Sequence, residues 1–132
     1  MIGMQCAESV GDVGGAKGLD ASIERLSTGG HLVTIKDVPV RGGWNCEKVG
    51  VMFVAPPGYP AAKPDCFWVT PNLRLANGAP PQSANDGTPI PGDPSPGRPL
   101  TWFSWHLQSW DPNLDKLTTF YSAIMQRLNP AR

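Results

Sequence analysis

The feature that most constrains the fold is a proline-rich joint, residues 55–65, between two short apolar runs. The run before it, 49–54, and the run after it, 66–69, are rich in β-branched and aromatic residues and too short for typical helices, which predicts two strands. Four prolines in the joint fix φ and remove backbone donors, so the joint is neither helix nor central strand. A plain hairpin needs only about two to five residues. The joint is therefore a long, shaped connection.

Composition indicates a single neutral domain. The chain has 132 residues, a usual size for one domain, and a formal net charge of zero. It has no block of like charges and no apolar run long enough to span a membrane, so neither nucleic acid nor a membrane is expected as a partner. Three irregularly spaced cysteines do not indicate a disulfide framework, and residues 1–18 lack the features of a secretory signal, which predicts a cytoplasmic protein.

Glycine and proline, 15 of each, are concentrated in a few segments. This distribution predicts a flexible leader over residues 1–18 and a single domain over residues 19–132. Within that domain, residues 76–99 are expected to form a long Pro/Gly-rich loop. A loop of this length in a compact domain is usually functional or mobile.

Hydrophobic patterning before the long loop predicts a small sheet. Strands are expected over residues 31–38, 47–54 and 66–69, joined by turns as an antiparallel meander of three to four strands. Before them, Asp20 is a good N-cap for a short helix over residues 21–26.

The C-terminal segment predicts an amphipathic helix from about residue 112 to 128. Asp111 and Pro112 are typical of a helix start, and Asn129-Pro130 of a helix stop. The expected fold class is therefore α+β, a two-layer domain in which this helix packs on the sheet. One apolar stripe at helical spacing supports the helix: Leu114, Leu117, Tyr121, Ile124 and Leu128.

Ser104 and His106 form the first candidate catalytic pair. They are two residues apart, so in a strand both side chains would lie on one face, where they can touch. A nucleophilic serine also needs an acid that orients the histidine, and Asp86 and Asp111 are the candidates. The alternative is that His106 holds the long loop through a hydrogen bond to backbone.

Cys46 and Cys66 are the alternative nucleophiles, because thiolates react when a neighbouring charge or dipole activates them. Against this, Cys66 stands beside Phe67 in a predicted core strand, which favours a small buried hydrophobic residue. Cys46 is expected to be exposed, but no base stands near it in the sequence. The spacings Cys-x-x-Cys and His-x-x-x-His do not occur, so neither a metal nor another cofactor is expected.

Several large side chains are candidates for binding. Trp102 and Trp105 in the aromatic segment, with Tyr59 and Asp86, are the predicted binding residues. Exposed tryptophans form platforms for sugars or proline-rich peptides. The alternative is that the tryptophans pack beneath the loop and helix, which we favour for Trp68 and Trp110.

The order of several motifs resembles the ubiquitin-conjugating enzyme (UBC) superfamily over about residues 20–128. The finer pattern looks most like a bacterial group called family E, through residues 64–69, Gly78-Ala79-Pro80-Pro81 and residues 102–106. In chain order, the superfamily motifs are Gly58-Tyr59-Pro60, Pro64-Asp65, Phe67-Trp68-Val69, Pro71-Asn72 and Trp110-Asp111-Pro112.

The resemblance implies a UBC-like fold and a role in a bacterial ubiquitin-like conjugation pathway. The implied partners are a ubiquitin-like protein and its activating enzyme, and the implied activity is that of a conjugating transferase that carries a thioester. The superfamily's catalytic cysteine follows a His-Pro-Asn segment. Here Val69-Thr70 precede Pro71-Asn72, and no cysteine occurs after Cys66.

Three functions therefore remain open. The first is a divergent conjugating enzyme or altered carrier, and the second is a non-catalytic adaptor that binds a ubiquitin-like protein or a peptide. The third is an unrelated α+β binding domain.

Overall fold

The computed structural model describes residues 20–132, which form six strands and one α-helix. All strand pairs are antiparallel, and the strands form one sheet in the order β1-β2-β3-β4-β6-β5. The α+β class is confirmed. The predicted leader, residues 1–18, lies outside the described residues. The elements are β1 (Asp20–Arg25), β2 (His31–Pro39), β3 (Lys48–Ala55), β4 (Phe67–Thr70), β5 (Ala84–Asn85), β6 (Thr101–Phe103) and α1 (Leu117–Leu128).

Residues 20–25 form an edge strand, so the predicted short helix over residues 21–26 is wrong. They pair with β2 in antiparallel register along their whole length. Ala21 and Ile23 are half-buried and alternate with exposed residues, which is the period of a strand. Few apolar side chains were available to anchor a helix, whereas the ladder with β2 pairs the backbone N–H and C=O groups.

One face of the sheet packs against α1. The rings of Phe53 in β3 and Phe120 in α1 lie 5.1 Å apart, centroid to centroid. Trp44 donates its indole N–H to the carbonyl of Leu128 at 2.7 Å and so fixes the end of the helix. Together these contacts anchor α1 near both of its ends.

The other face of the sheet is covered by the long loop. Met52 and Trp68 pack there against Ile90 and Leu100, and the indole N–H of Trp68 donates to the carbonyl of Thr88 at 2.8 Å. This second cover explains why successive residues of β3 and β4 are buried on both faces. The loop predicted over residues 76–99 therefore packs on the sheet through Ile90, while most of its other residues are exposed.

Besides β1, the strands β5 and β6 were not predicted, and the meander of three to four strands is extended to six among the described residues. β5 has two residues and β6 three, which is too short for a period-two pattern to be recognised. β6 pairs with β4, Trp102 opposite Trp68, and β5 pairs with the other side of β6.

The C-terminal helix begins at Leu117, later than the predicted start near residue 112. Asp111 instead opens a separate turn, where its carbonyl accepts from the N–H groups of Leu114 and Asp115 at 3.0 and 2.7 Å. Leu114 is 75% exposed and is not part of the apolar stripe. Four members of the stripe are buried: Leu117, Tyr121, Ile124 and Leu128.

Of residues 20–132, no helix is long and apolar enough to cross a membrane.

Candidate active site

Three polar side chains form a hydrogen-bonded chain where β4 begins and β6 ends. The Nδ1 atom of His106 lies 2.5 Å from a carboxylate oxygen of Asp65, and the Nε2 atom lies 3.3 Å from the Oγ atom of Ser104. An acid at one ring nitrogen and a hydroxyl at the other is the arrangement of a Ser-His-Asp triad. The side chains of Asp65 and His106 are about half exposed, 51% and 54%, so this hydrogen-bonded chain of side chains faces solvent.

The proline-rich joint positions the histidine. Lys63 in the joint donates its ammonium N–H to the carbonyl of Leu107 at 2.7 Å, directly after His106. The indole N–H of Trp110 donates to the carbonyl of Pro60 at 2.7 Å. Both bonds tie residues 106–110 to the joint. The joint therefore holds His106 against Asp65, the residue with which the joint ends.

Cys66 lies beside this chain, directly before β4. Its backbone N–H donates to the carbonyl of Trp105 at 3.0 Å, and its φ of +60° is in the left-handed region, uncommon for a residue other than glycine. Donor atoms of Asp65, Cys66 and His106 all lie within 4.8 Å of one another. Neighbouring side chains of an extended strand point to opposite faces, and the turned backbone at Cys66 interrupts that alternation.

Both described cysteines have weakly acidic thiols. Burial raises the pKa of Cys66, against the effect of a hydrogen bond from the Trp105 backbone, while the charge of Asp65 raises it further. Cys66 is 8% exposed. Burial also raises the pKa of Cys46, which is half-buried and packs against the core. Neither environment favours the thiolate, the reactive form.

Neither acid predicted to orient His106 lies beside it. Asp86 accepts hydrogen bonds from the guanidinium of Arg74 and from the hydroxyl of Thr101, the latter at 2.7 Å. The hydrogen bond from Arg74 lowers the pKa of Asp86 below its usual value, against the effect of partial burial. Asp111 caps the turn before α1, where its carboxylate accepts the backbone N–H of Asn113 at 2.9 Å. Asp65 instead contacts His106 where Asp86 or Asp111 was expected.

Three of the predicted binding residues lie around the site. Tyr59 is buried, with its ring 6.3 Å from that of Trp110. Trp105 is half-buried, and the guanidinium groups of Arg127 and Arg132 lie 6.0 and 5.7 Å from its ring. Trp102 is half-buried on the loop side of the sheet, where it packs with Trp68. That these residues or Asp86 bind a ligand stays a prediction.

A mostly apolar groove of about 210 Å³ opens beside Asp65 on the loop side of the sheet. Its size suits a few small residues of an extended peptide. It is lined by Thr28, Val54, Pro56, Lys63, Asp65, Trp68 and Pro91.

Asp65 is the residue of the candidate site that the sequence did not predict. It is 41 residues from His106, so no local spacing connects the two. The available signal is its place in the Pro64-Asp65 motif, at the end of the joint and directly before a predicted strand. Ser104 and His106 were found because they lie two residues apart.

These features define a small α+β domain with a candidate acyl-transfer triad at one end of its central strands. The model of prokaryotic E2 family E matches residues 16–131, and the chain belongs to that family. The match confirms the resemblance inferred from the motifs around the joint. A search of curated proteins and a search of solved structures each found no match.

Proposed function

We propose that this chain carries the C-terminal acyl group of a ubiquitin-like protein in a bacterial conjugation pathway. Ser104 is the acceptor, His106 is its general base, and Asp65 orients the histidine. The observation that carries the proposal is the hydrogen-bonded chain from Asp65 through His106 to Ser104, with its 2.5 and 3.3 Å contacts. Membership of prokaryotic E2 family E supports the pathway and the two partners, the ubiquitin-like protein and its activating enzyme. The location remains the cytoplasm that the sequence predicts.

The proposed step is a transfer from thioester to ester. The Oγ atom of Ser104 attacks the thioester carbonyl carbon, so that a C–O bond forms and the C–S bond to the activating enzyme breaks. The Nε2 atom of His106 takes the serine proton and then gives it to the departing sulfur. An amine that later attacks the ester forms an amide and restores the serine hydroxyl. No oxidation or reduction is involved.

Ser104 fits this role better than Cys66. Its hydroxyl is within reach of the His106 base, and it is less buried than the Cys66 thiol. Burial raises the pKa of Cys66, which keeps the thiol protonated and weakly nucleophilic. Since His106 lies close to both side chains, Cys66 is the alternative acceptor that the experiment must separate from Ser104.

In this proposal the acyl donor approaches the site along the groove beside Asp65. An extended C-terminal tail of small residues would lie along the apolar wall formed with Val54 and Trp68. Its last carbonyl carbon would then reach the Ser104 hydroxyl from the Asp65 side. Exclusion of water by this tail would also limit premature hydrolysis of the ester.

The experiment separates the two acceptors by the chemistry of the bond. The chain is incubated with a ubiquitin-like protein and an activating enzyme of a bacterial pathway, with ATP, Mg²⁺ and a chelator selective for Zn²⁺ over Mg²⁺, and is analysed by denaturing gel. An adduct on Ser104 is an ester, which resists dithiothreitol and is cleaved by mild alkali. An adduct on Cys66 is a thioester, which dithiothreitol cleaves.

The variants are Ser104→Ala and Cys66→Ala, with Cys46→Ala as the matched control for loss of a thiol. The proposal predicts an alkali-sensitive, thiol-resistant adduct that Ser104→Ala abolishes and both cysteine variants retain. A thiol-sensitive adduct lost in Cys66→Ala would contradict the assignment of Ser104. Binding of the ubiquitin-like protein with no adduct in any variant would favour the non-catalytic adaptor.

A further inference from the structure

The donors that meet at Asp65, Cys66 and His106 differ in kind: a carboxylate oxygen, a sulfur and an imidazole nitrogen. They come from two separate segments. The bond from the Cys66 backbone N–H to the Trp105 carbonyl, at 3.0 Å, holds these segments together. The sequence predicted no metal site, because the spacings Cys-x-x-Cys and His-x-x-x-His do not occur in it.

The backbone at Cys66 brings the two neighbouring donors together. In an extended strand the side chains of Asp65 and Cys66 would point to opposite faces. With φ at +60° at Cys66, both instead approach His106. Non-glycine residues in this region are strained and cluster at functional sites. The conformation therefore gives the cluster a geometry that a regular strand would not provide.

The donor set suits zinc. Zn²⁺ binds sulfur at about 2.3 Å, and imidazole nitrogen and carboxylate oxygen at about 2.0–2.2 Å. In a tetrahedral shell these bonds place the donor atoms about 3.3–3.8 Å apart. The atoms here lie within 4.8 Å of one another, and the half-exposed side chains of Asp65 and His106 can rotate to close the difference. Mg²⁺ and Ca²⁺ prefer shells made of oxygen alone.

We propose that Asp65, Cys66 and His106 form a binding site for Zn²⁺, with water in the remaining position. Zinc would use the Nδ1 atom of His106 and the carboxylate of Asp65, which are the two groups that orient the base for Ser104. Metal binding and acyl transfer therefore compete for the same side chains. Bound zinc would hold this chain in an inactive form, but the site itself does not depend on the proposed acyl transfer.

The test uses Co²⁺ as a spectroscopic substitute for Zn²⁺ on the full chain, reduced and free of metal. Thiolate coordination gives Co²⁺ a charge-transfer band in the near ultraviolet. The site predicts this band with one Co²⁺ per chain and its loss when Zn²⁺ is added in excess, since thiolate ligands favour Zn²⁺. The band should disappear in Cys66→Ser and remain in the matched controls Cys46→Ser and Cys6→Ser.

Variants at the half-exposed ligands keep the test independent of folding. Asp65→Asn and His106→Gln should weaken Co²⁺ binding by at least the roughly 10–100-fold seen when a partner of a metal ligand is lost. Absence of the band in the unaltered chain, its persistence in Cys66→Ser, or its loss in Cys46→Ser would overturn the proposal. The acyl-transfer assay is run with a chelator, so failure of one proposal leaves the other standing.

Discussion

In the proposed triad, Asp65 sets the tautomer of His106, because its carboxylate can only accept a hydrogen bond. With Nδ1 of His106 donating to Asp65, the lone pair of Nε2 faces the hydroxyl of Ser104. This is the tautomer in which a histidine can take a proton from a serine. The half-exposed position of Asp65 also means that the side chain contributes little to the core.

At the scale of the residue, Asp65→Asn should separate catalysis from stability. An asparagine amide no longer fixes the tautomer, so acylation of Ser104 by p-nitrophenyl acetate should slow by about 10²-fold or more. The midpoint of thermal unfolding should hardly change. Asp111→Asn is the matched control, because Asp111 only caps a turn and its loss should leave the rate unaltered. Equal rates for the two variants would remove Asp65 from the site.

At the scale of the element, α1 is held to the sheet by a few large side chains. Phe120 is fully buried, whereas Leu114 stands 75% exposed in the turn before the helix. Phe120→Ala should lower the free energy of unfolding by about 3–5 kcal/mol, because it leaves a cavity opposite Phe53. Leu114→Ala should stay within about 0.5 kcal/mol of the unaltered chain. Denaturant unfolding measures both, and similar values would contradict the packing of α1.

The long loop is tied to the sheet through Asp86. The buried hydroxyl of Thr101 accepts the backbone N–H of Leu73 at 2.9 Å and donates to Asp86, which also accepts from Arg74. This relay connects β5, β6 and the segment after β4. It gives Asp86 a structural role that is visible without a ligand.

The charge of Asp86 should make the free energy of unfolding depend on pH. The hydrogen bond from Arg74 lowers the folded-state pKa of Asp86 below the unfolded value of about 3.9. Its contribution is therefore present above that pH and is lost as the pH falls through the folded-state pKa. Asp86→Asn should cost about 1 kcal/mol at about pH 7, since the partly exposed ion pair is screened.

Urea unfolding of both chains at about pH 7 and about pH 3 checks this expectation. The difference between Asp86→Asn and the unaltered chain should shrink at the lower pH. A difference that stays constant between the two pH values would show that the Asp86 charge does not contribute.

At the scale of the whole molecule, the features that the sequence predicts are those that depend on residues close together along the chain. The alternation in β2 and β3 and the helical stripe of α1 are local patterns, and both correspond to observed elements. Ser104 and His106 could be paired because a strand-like spacing of two brings side chains to one face. These parts of the fold and site follow from the spacing of residues along the sequence alone.

What the sequence could not predict depends on distant contacts. Residues 20–25 carry a helix-like cap, but pairing with β2 makes them a strand. The loop over residues 76–99 has no apolar period, yet Ile90 within it and Leu100 directly after it cover one face of the sheet. Asp65 meets His106 across 41 residues, through a joint whose shape is set by prolines and by Trp110.

The central claim is that Ser104 is an acyl acceptor activated by His106 and Asp65. The most direct measurement is peptide mapping by mass spectrometry after reaction of the chain with p-nitrophenyl acetate, which needs no partner protein. The account predicts an acetyl group on Ser104 that is absent in Ser104→Ala and strongly reduced in His106→Gln. Acetylation found on Cys66 instead, or an unchanged level on Ser104 in His106→Gln, would contradict it.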